Sequence, residues 1–410
     1  MIARRGMTLV EMLVATTMTL IIMGIVAQLF GVLGNTVNNS RSTMDVSSRL
    51  RSVANKLRQD LAGFTVPTLP PVAADADAGY LEVIEGAATD SSLGTNQLIG
   101  DGDDVLMFTT HAPQQPFVGV YNGSSSIESP LAEVAWFCLP SSVTTSGLTL
   151  YNLYRRQLLV MSYVGVAPFL GTNSITANLP AEYANYDISL RQDGAFVRPN
   201  SLGDLTKREN RFMHFLSGTV SATNFPYNAT AANLFANGRL SGNRMGEDIV
   251  LTNVLAFDVR VFDPAAVIRS ATTIALTPGD PGYGDASPPN PTPTGAYVDL
   301  GSGIAATTLM GAADARSKLR PATVNDPRFY DTWSTHYEFN GIDEDRDGTV
   351  DEGTDGVDNN NDGVIDDLAE RETSPPYPVA LRGIEIRIRV YEPSSRQVRQ
   401  VTVRHTFVPH

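Results

Sequence analysis

Gly6-Met7-Thr8-Leu9-Val10-Glu11-Met12-Leu13-Val14 opens an apolar run that continues to Gly34 with Glu11 as its only charge, and Arg4 and Arg5 stand just ahead of it. A carboxylate inside a segment otherwise suited to lipid is expensive unless a cation meets it. As a helix, Met12 to Gly34 covers ~34 Å, enough to cross a bilayer. A secretory signal peptide has a shorter apolar core with a small-residue cleavage site beyond it. A twin-arginine signal has different flanks. An ordinary signal anchor shares the length but gains nothing from Glu11. Arg4 and Arg5 ahead of the run, with the large polar remainder after it, place the N-terminus in the cytoplasm by the positive-inside bias. The remainder is then periplasmic.

Beyond Asn35 the pattern turns amphipathic. Val46, Leu50, Val53, Leu57, Leu61 and Phe64 recur every three or four residues, with Arg49, Arg51, Asn55, Arg58 and Gln59 between them, which predicts one apolar helical stripe. Gly63 and Pro67 are stop signals. The expected helix runs from Met7 to about residue 63, and Gly24, Gly31 and Gly34 are places where it can soften. Past Pro67 short β-like runs are separated by Gly, Ser, Asn and Pro. They are Val105–Thr110, Glu133–Leu139, Leu148–Tyr154, Gln157–Tyr163 and the longer Ile249–Phe262. Ile384 to Tyr391 and Val401 to His405 flank Pro393-Ser394-Ser395 as a hairpin. Short helices are expected near Asp204–Phe215 and Ala229–Asn237. Thr277 to Gly295 carries six prolines and four glycines and reads as a loop or linker with no capacity to pack.

The expected fold is α+β: a long N-terminal helix, membrane-spanning in its first half, packed on antiparallel sheets with an acidic calcium-loop insertion. Its parts are a leader over 1–6, a transmembrane or filament-core helix over 7–34 and its amphipathic continuation over 35–66. A β-rich head over 67–276 and the Pro/Gly-rich loop over 277–295 follow. An irregular part of the head over 296–340, acidic repeats over 341–370 and a C-terminal hairpin over 376–410 complete the chain.

The N-terminal motif resembles the class III signal of type IV pilins and type II secretion pseudopilins. In those families a prepilin peptidase cuts after the glycine and methylates the new N-terminus, and the glutamate at the fifth mature position pairs with the terminal amine of a neighbouring subunit. The resemblance implies Gly6 and Met7 as the processing site and Glu11 as the assembly contact. Met7 stands where these families more often have phenylalanine. The helix ending Arg51-Ser52-Val53-Ala54-Asn55-Lys56-Leu57-Arg58-Gln59-Asp60-Leu61 looks like the J-type minor pseudopilins and the PilW-type minor pilins. So does Asp103-Asp104-Val105-Leu106-Met107-Phe108-Thr109-Thr110, with a later strand leading into Leu153-Tyr154-Arg155-Arg156. The resemblance implies a non-catalytic subunit near the tip of a pseudopilus. Its partners would be the prepilin peptidase, other minor and major pseudopilins or pilins, and the inner membrane. A minor pilin of a type IV pilus shares this logic; a membrane-anchored calcium-binding surface protein, or a hydrolase, is the reading from a different class.

The charge of -14 is concentrated: Asp343 to Glu370 holds twelve acidic residues against Arg346, a net -11, leaving -3 for the rest. Asp343, Asp345, Asp347, Thr349 and Asp351 occupy the first, third, fifth, seventh and ninth positions of one D-x-D-x-D-G-x-x-D loop. Asp358, Asn360, Asp362, Val364 and Asp366 repeat it fifteen residues later. Oxygens so spaced converge when the loop winds tightly, glycine at the sixth position permits the turn, and the seventh residue offers its carbonyl. Hard oxygen donors suit Ca²⁺, one or two ions here. The EF-hand glutamate is missing, since Thr354 and Ala369 hold the twelfth positions, and the repeat looks more like the acidic repeats of thrombospondin type 3. Glu352, Asp355, Asp367 or Glu370 is the candidate for the missing carboxylate. A solvated acidic loop is the bland alternative, but random acidity does not repeat glycine in register.

Other chemistry finds little support. His111, His214, His336, His405 and His410 are scattered, and neither an HExxH zinc motif nor a phosphate-binding G-x-x-x-x-G-K-S/T is present. Asp101-Gly102-Asp103-Asp104 has the residues of a metal site, but a turn before a strand is the expectation. The near-neutral head offers no basic face for nucleic acid. Cys138, the only cysteine, is expected to be a buried, inert thiol sharing a strand face with Val134 and Trp136.

Overall fold

The computed structural model describes residues 8–66, 77–85, 100–121, 123–145, 148–161, 182–193, 196–206, 210–213, 239–271, 274–278, 280, 282–287, 289, 292–300, 328–332, 341, 349–352, 354–359, 361, 363–366 and 381–407. Gly6, Met7, Asp343, Asp345, Asp347, Asn360, Asp362 and the expected helix Ala229–Asn237 lie outside them.

Helix α1 runs unbroken from Leu9 to Ala62, 54 residues or ~80 Å. Gly24, Gly31 and Gly34 lie within it and do not interrupt it. Thr8 and Glu11 form a capping box at its start: Thr8 Oγ1 accepts the Glu11 N–H, and Glu11 Oε2 accepts the Thr8 N–H at 2.8 Å. Gly63 ends the helix where it passes the next strand so closely that a Cβ would lie 1.9 Å from the His111 carbonyl oxygen.

The two halves of α1 differ in surroundings. Every described side chain from Thr8 to Gly34 is exposed, and this part is long and apolar enough to cross a membrane. In the second half Val46, Leu50, Val53, Leu57 and Leu61 are buried as the stripe predicts, joined by Ala54 and Asp60. Burying each of those aliphatic side chains contributes ~1.5–3 kcal/mol. Phe64 completes the stripe edge-on against Phe108 and tilted against Phe407.

The strands in chain order are β1 (Leu81–Glu85), β2 (Val105–His111), β3 (Phe117–Tyr121), β4 (Ser125–Ser129), β5 (Leu131–Thr145), β6 (Leu148–Leu159), β7 (Leu190–Asp193), β8 (Phe196–Pro199) and β9 (Ile249–Val267). They continue with β10 (Arg269–Ala271), β11 (Ile274–Leu276), β12 (Thr294–Asp299), β13 (Arg328–Asp331), β14 (Gly383–Glu392) and β15 (Gln397–Thr406). Nine of them form one sheet in the order β13-β1-β2-β5-β6-β9-β14-β15, with β12 also on β9. Its pairings are all antiparallel. Along one edge of β9, residues 249–254 pair with β6 and residues 260–267 with β12, while β14 takes 254–261 on the other edge.

Both faces of this sheet are covered, so β1 and most of β2 are buried throughout, Glu82 and Glu85 of β1 included. On β5 and β6, Trp136 and Arg155 reach Asp60 of the helix. On the opposite face Glu133 accepts from Tyr80 Oη (2.6 Å), Ser189 Oγ (2.5 Å) and Phe212 N–H (2.9 Å). Cys138 is buried as expected, and burial pushes its thiol well above the ordinary range.

Several expectations need correction. Leu148–Tyr154 and Gln157–Tyr163 are not separate strands: β6 continues through Arg155 and Arg156 to Leu159. The two arginines point to opposite faces, each to a carboxylate, Asp60 and Asp187. Near Asp204–Phe215 the described residues form only a 3₁₀ turn, Asp204–Thr206. The Leu205 and Thr206 carbonyls that would continue a helix accept instead from the Arg211 guanidinium at 3.0 Å each. Residues 296–299, read as irregular, belong to β12 in the main sheet. The Pro/Gly-rich stretch does pack: Asp280 pairs with the buried Arg260 at 3.0 Å, and Tyr283 Oη donates to the Val267 carbonyl at 2.8 Å.

Candidate functional site

Four groups of residues are candidates for function, and the helix carries the first two. Glu11 sits at the exposed start of α1, held by Thr8. Sequence reasoning gave a plain anchor no use for this glutamate; the capping box corrects that, because satisfying free amides at a helix start is useful to any helix.

Asp60 sits at the other end, where the helix meets the sheet. Arg155 donates to it through Nε (2.7 Å to Oδ2) and Nη2 (2.8 Å to Oδ1), and Trp136 Nε1 donates to Oδ2 at 3.1 Å. Lys56 is 3.8 Å away, one turn back. The Asp60 side chain is 1% and that of Arg155 9% exposed, so this fork-to-fork pair lies inside the core. Sequence reading missed it, although Asp60 stands three residues after Leu57 and four before Phe64, on the apolar stripe.

The acidic segment is the third group. Of its ten expected ligand positions, Thr349, Asp351, Asp358, Val364 and Asp366 are described. The fifteen-residue repeat is also a structural one. Gly341 N–H donates to Asp351 at 3.1 and 3.0 Å, and Gly356 N–H donates to Asp366 at 2.9 Å. The paired backbones match, with φ of 75° and 80° at the glycines and 55° and 54° at the aspartates. Gly363, at the sixth position of the second loop, has φ of 95° and donates to Asp358 Oδ2 at 2.9 Å. The left-handed conformation is why glycine is needed there. Glu352, one of four candidates for the missing carboxylate, is buried. Asp355 is instead engaged by Val357 N–H and Asn359 Nδ2.

A fourth group lies in the core, built on the Asp101–Asp104 stretch that the sequence assigns to a turn rather than to a metal, together with Glu85, which the sequence does not single out. The Asp101–Asp104 turn does precede β2, as expected, but it also fills the gap between β6 and β12 on the edge of β9. Phe257 N–H donates to the Asp101 carbonyl at 2.8 Å, and Val259 N–H donates to Asp104 Oδ2 at 2.7 Å. The last residue of β1, Glu85, joins them. One oxygen from each of Glu85, Asp101 and Asp104 lies within 4.8 Å of the others, and each residue is 1% exposed. No sequence spacing links Glu85 to the turn, so only the pairing of β1 with β2 could reveal the group.

Comparison with known protein families, with curated proteins and with solved structures found no match to this chain. The architecture itself defines a class: one N-terminal helix, apolar and unpartnered over its first half, clamped over its second half to an antiparallel head.

Proposed function

We propose that the chain is a minor pseudopilin of a type II secretion system. Prepilin peptidase would cut between Gly6 and Met7. The inner membrane would hold the product with its head in the periplasm until it joins other pseudopilins near the tip of a short filament. The subunit is structural and has no catalytic role. The observation that carries this reading is the bare first half of α1, apolar except for Glu11, continuous with a half that is docked on a sheet. Mass spectrometry of the mature N-terminus tests it: methylated Met7 is expected, and a chain beginning at intact Met1 overturns the pilin-like fate. The Thr8–Glu11 capping box favours a second reading, a membrane-anchored surface protein in which Glu11 is only a cap.

The acidic repeats are proposed as calcium loops of the periplasmic head. A net -11 over 28 residues repels itself, and calcium binding to the ordered form adds to its stability. Limited proteolysis in calcium should leave the 341–366 segment intact, and chelation should open it to cleavage. Identical digestion in both conditions would remove this assignment.

A further inference from the structure

We propose that Glu85, Asp101 and Asp104 form a buried calcium site at the gap in the β9 ladder, independent of the acidic repeats. Glu85 supplies the decisive detail. Its Oε2 accepts the Leu300 N–H at 3.0 Å, while its Oε1 is buried with no hydrogen-bond partner. A carboxylate oxygen withdrawn from water and left unmet is costly, and the Glu85 carboxylate that carries it lies beside those of Asp101 and Asp104. The neighbouring cation is already committed: Arg260 contacts Asp258 at 3.2 Å, Asp299 at 2.9 Å and Asp280 at 3.0 Å.

The spacing fits the ion. Oxygens on one calcium at about 2.3–2.6 Å lie at most about 5 Å apart, and the three oxygens here are within 4.8 Å of one another. An all-oxygen set selects a hard cation. Burial also leaves little room for the waters that magnesium retains, whereas calcium accepts a shell built largely of protein oxygens. Electrostatics point the same way: burial, then the nearby Asp104, holds the carboxyls of both Glu85 and Asp101 well above the usual range. A divalent cation among them reverses that balance, because it becomes the largest local charge. Such an ion would join β1, the Asp101–Asp104 turn and, through Leu300, the end of β12.

The test uses the full chain in detergent micelles, with the repeats disabled by Asp343→Asn, Asp345→Asn, Asp347→Asn, Asp358→Asn and Asp362→Asn. Equilibrium dialysis against calcium alone should find one ion per chain in this background. Adding either Glu85→Gln or Asp101→Asn should reduce it to zero, with circular dichroism confirming the fold. The melting temperature should rise with calcium in the background and not in the two variants. No bound calcium in the background overturns the proposal, whatever the added variants do. So does one ion retained by either folded variant. A cluster that merely shares protons gives a third pattern: calcium leaves the background melt unchanged and Glu85→Gln raises it, which also overturns the proposal.

Discussion

Glu11→Gln is expected to leave cleavage after Gly6 intact and to remove the protein from assembled filaments. Glutamine serves at the third helical position of a capping box as glutamate does, so the Thr8 N–H keeps its acceptor and the helix start is preserved. What disappears is the charge. In the proposed assembly that charge meets the terminal ammonium of a neighbouring subunit in low dielectric, and removing one partner of a buried pair costs about 3–5 kcal/mol. That corresponds to roughly a hundredfold or greater loss of incorporation. The measurement is the fraction of the protein in sheared filaments against that left in membranes, for wild type, Glu11→Gln and Glu11→Ala. If glutamine assembles like wild type while alanine fails, Glu11 serves assembly only as a cap; absence of the wild-type protein from sheared filaments is the outcome that favours the second reading.

Asp60→Ala should be the most damaging single change to the head. It leaves the Arg155 guanidinium buried without its carboxylate and Trp136 Nε1 without an acceptor, a loss of about 3–5 kcal/mol. In urea, tryptophan fluorescence should report a clearly lower midpoint, and Asp60→Asn should fall between, since one acceptor oxygen survives. Asp45→Ala is the control, because its pair with Arg49 is 57% and 62% exposed and such pairs contribute only about 0–1 kcal/mol. Equal effects of the Asp60 and Asp45 changes would contradict the clamp.

The parts of the fold legible in the sequence were those set by a single period. The stripe from Val46 to Phe64 and the alternation from Ile384 to Val390 appear in the structure as the buried face of α1 and as β14 with its hairpin partner. Illegible were features that depend on which strands become neighbours. Arg155 and Arg156 look like a break until both faces of β6 are known to be covered. The Thr277–Gly295 stretch looks unable to pack until Arg260 is known to be buried beside Asp280. The candidate sites divide in the same way. The repeat at Asp351 and Asp366 announces itself by spacing, whereas Glu85 meets Asp101 and Asp104 only through sheet topology.

The continuity of α1 has a mechanical consequence. A pull on its bare end would pass along ~80 Å of hydrogen-bonded helix without meeting a hinge, since none of the three glycines breaks it. The load would arrive at the sheet as shear, shared at once by the Val46–Phe64 stripe and the Asp60–Arg155 fork. Such a joint resists peeling strand by strand, so the head should follow the rod as a rigid body until the whole contact gives way.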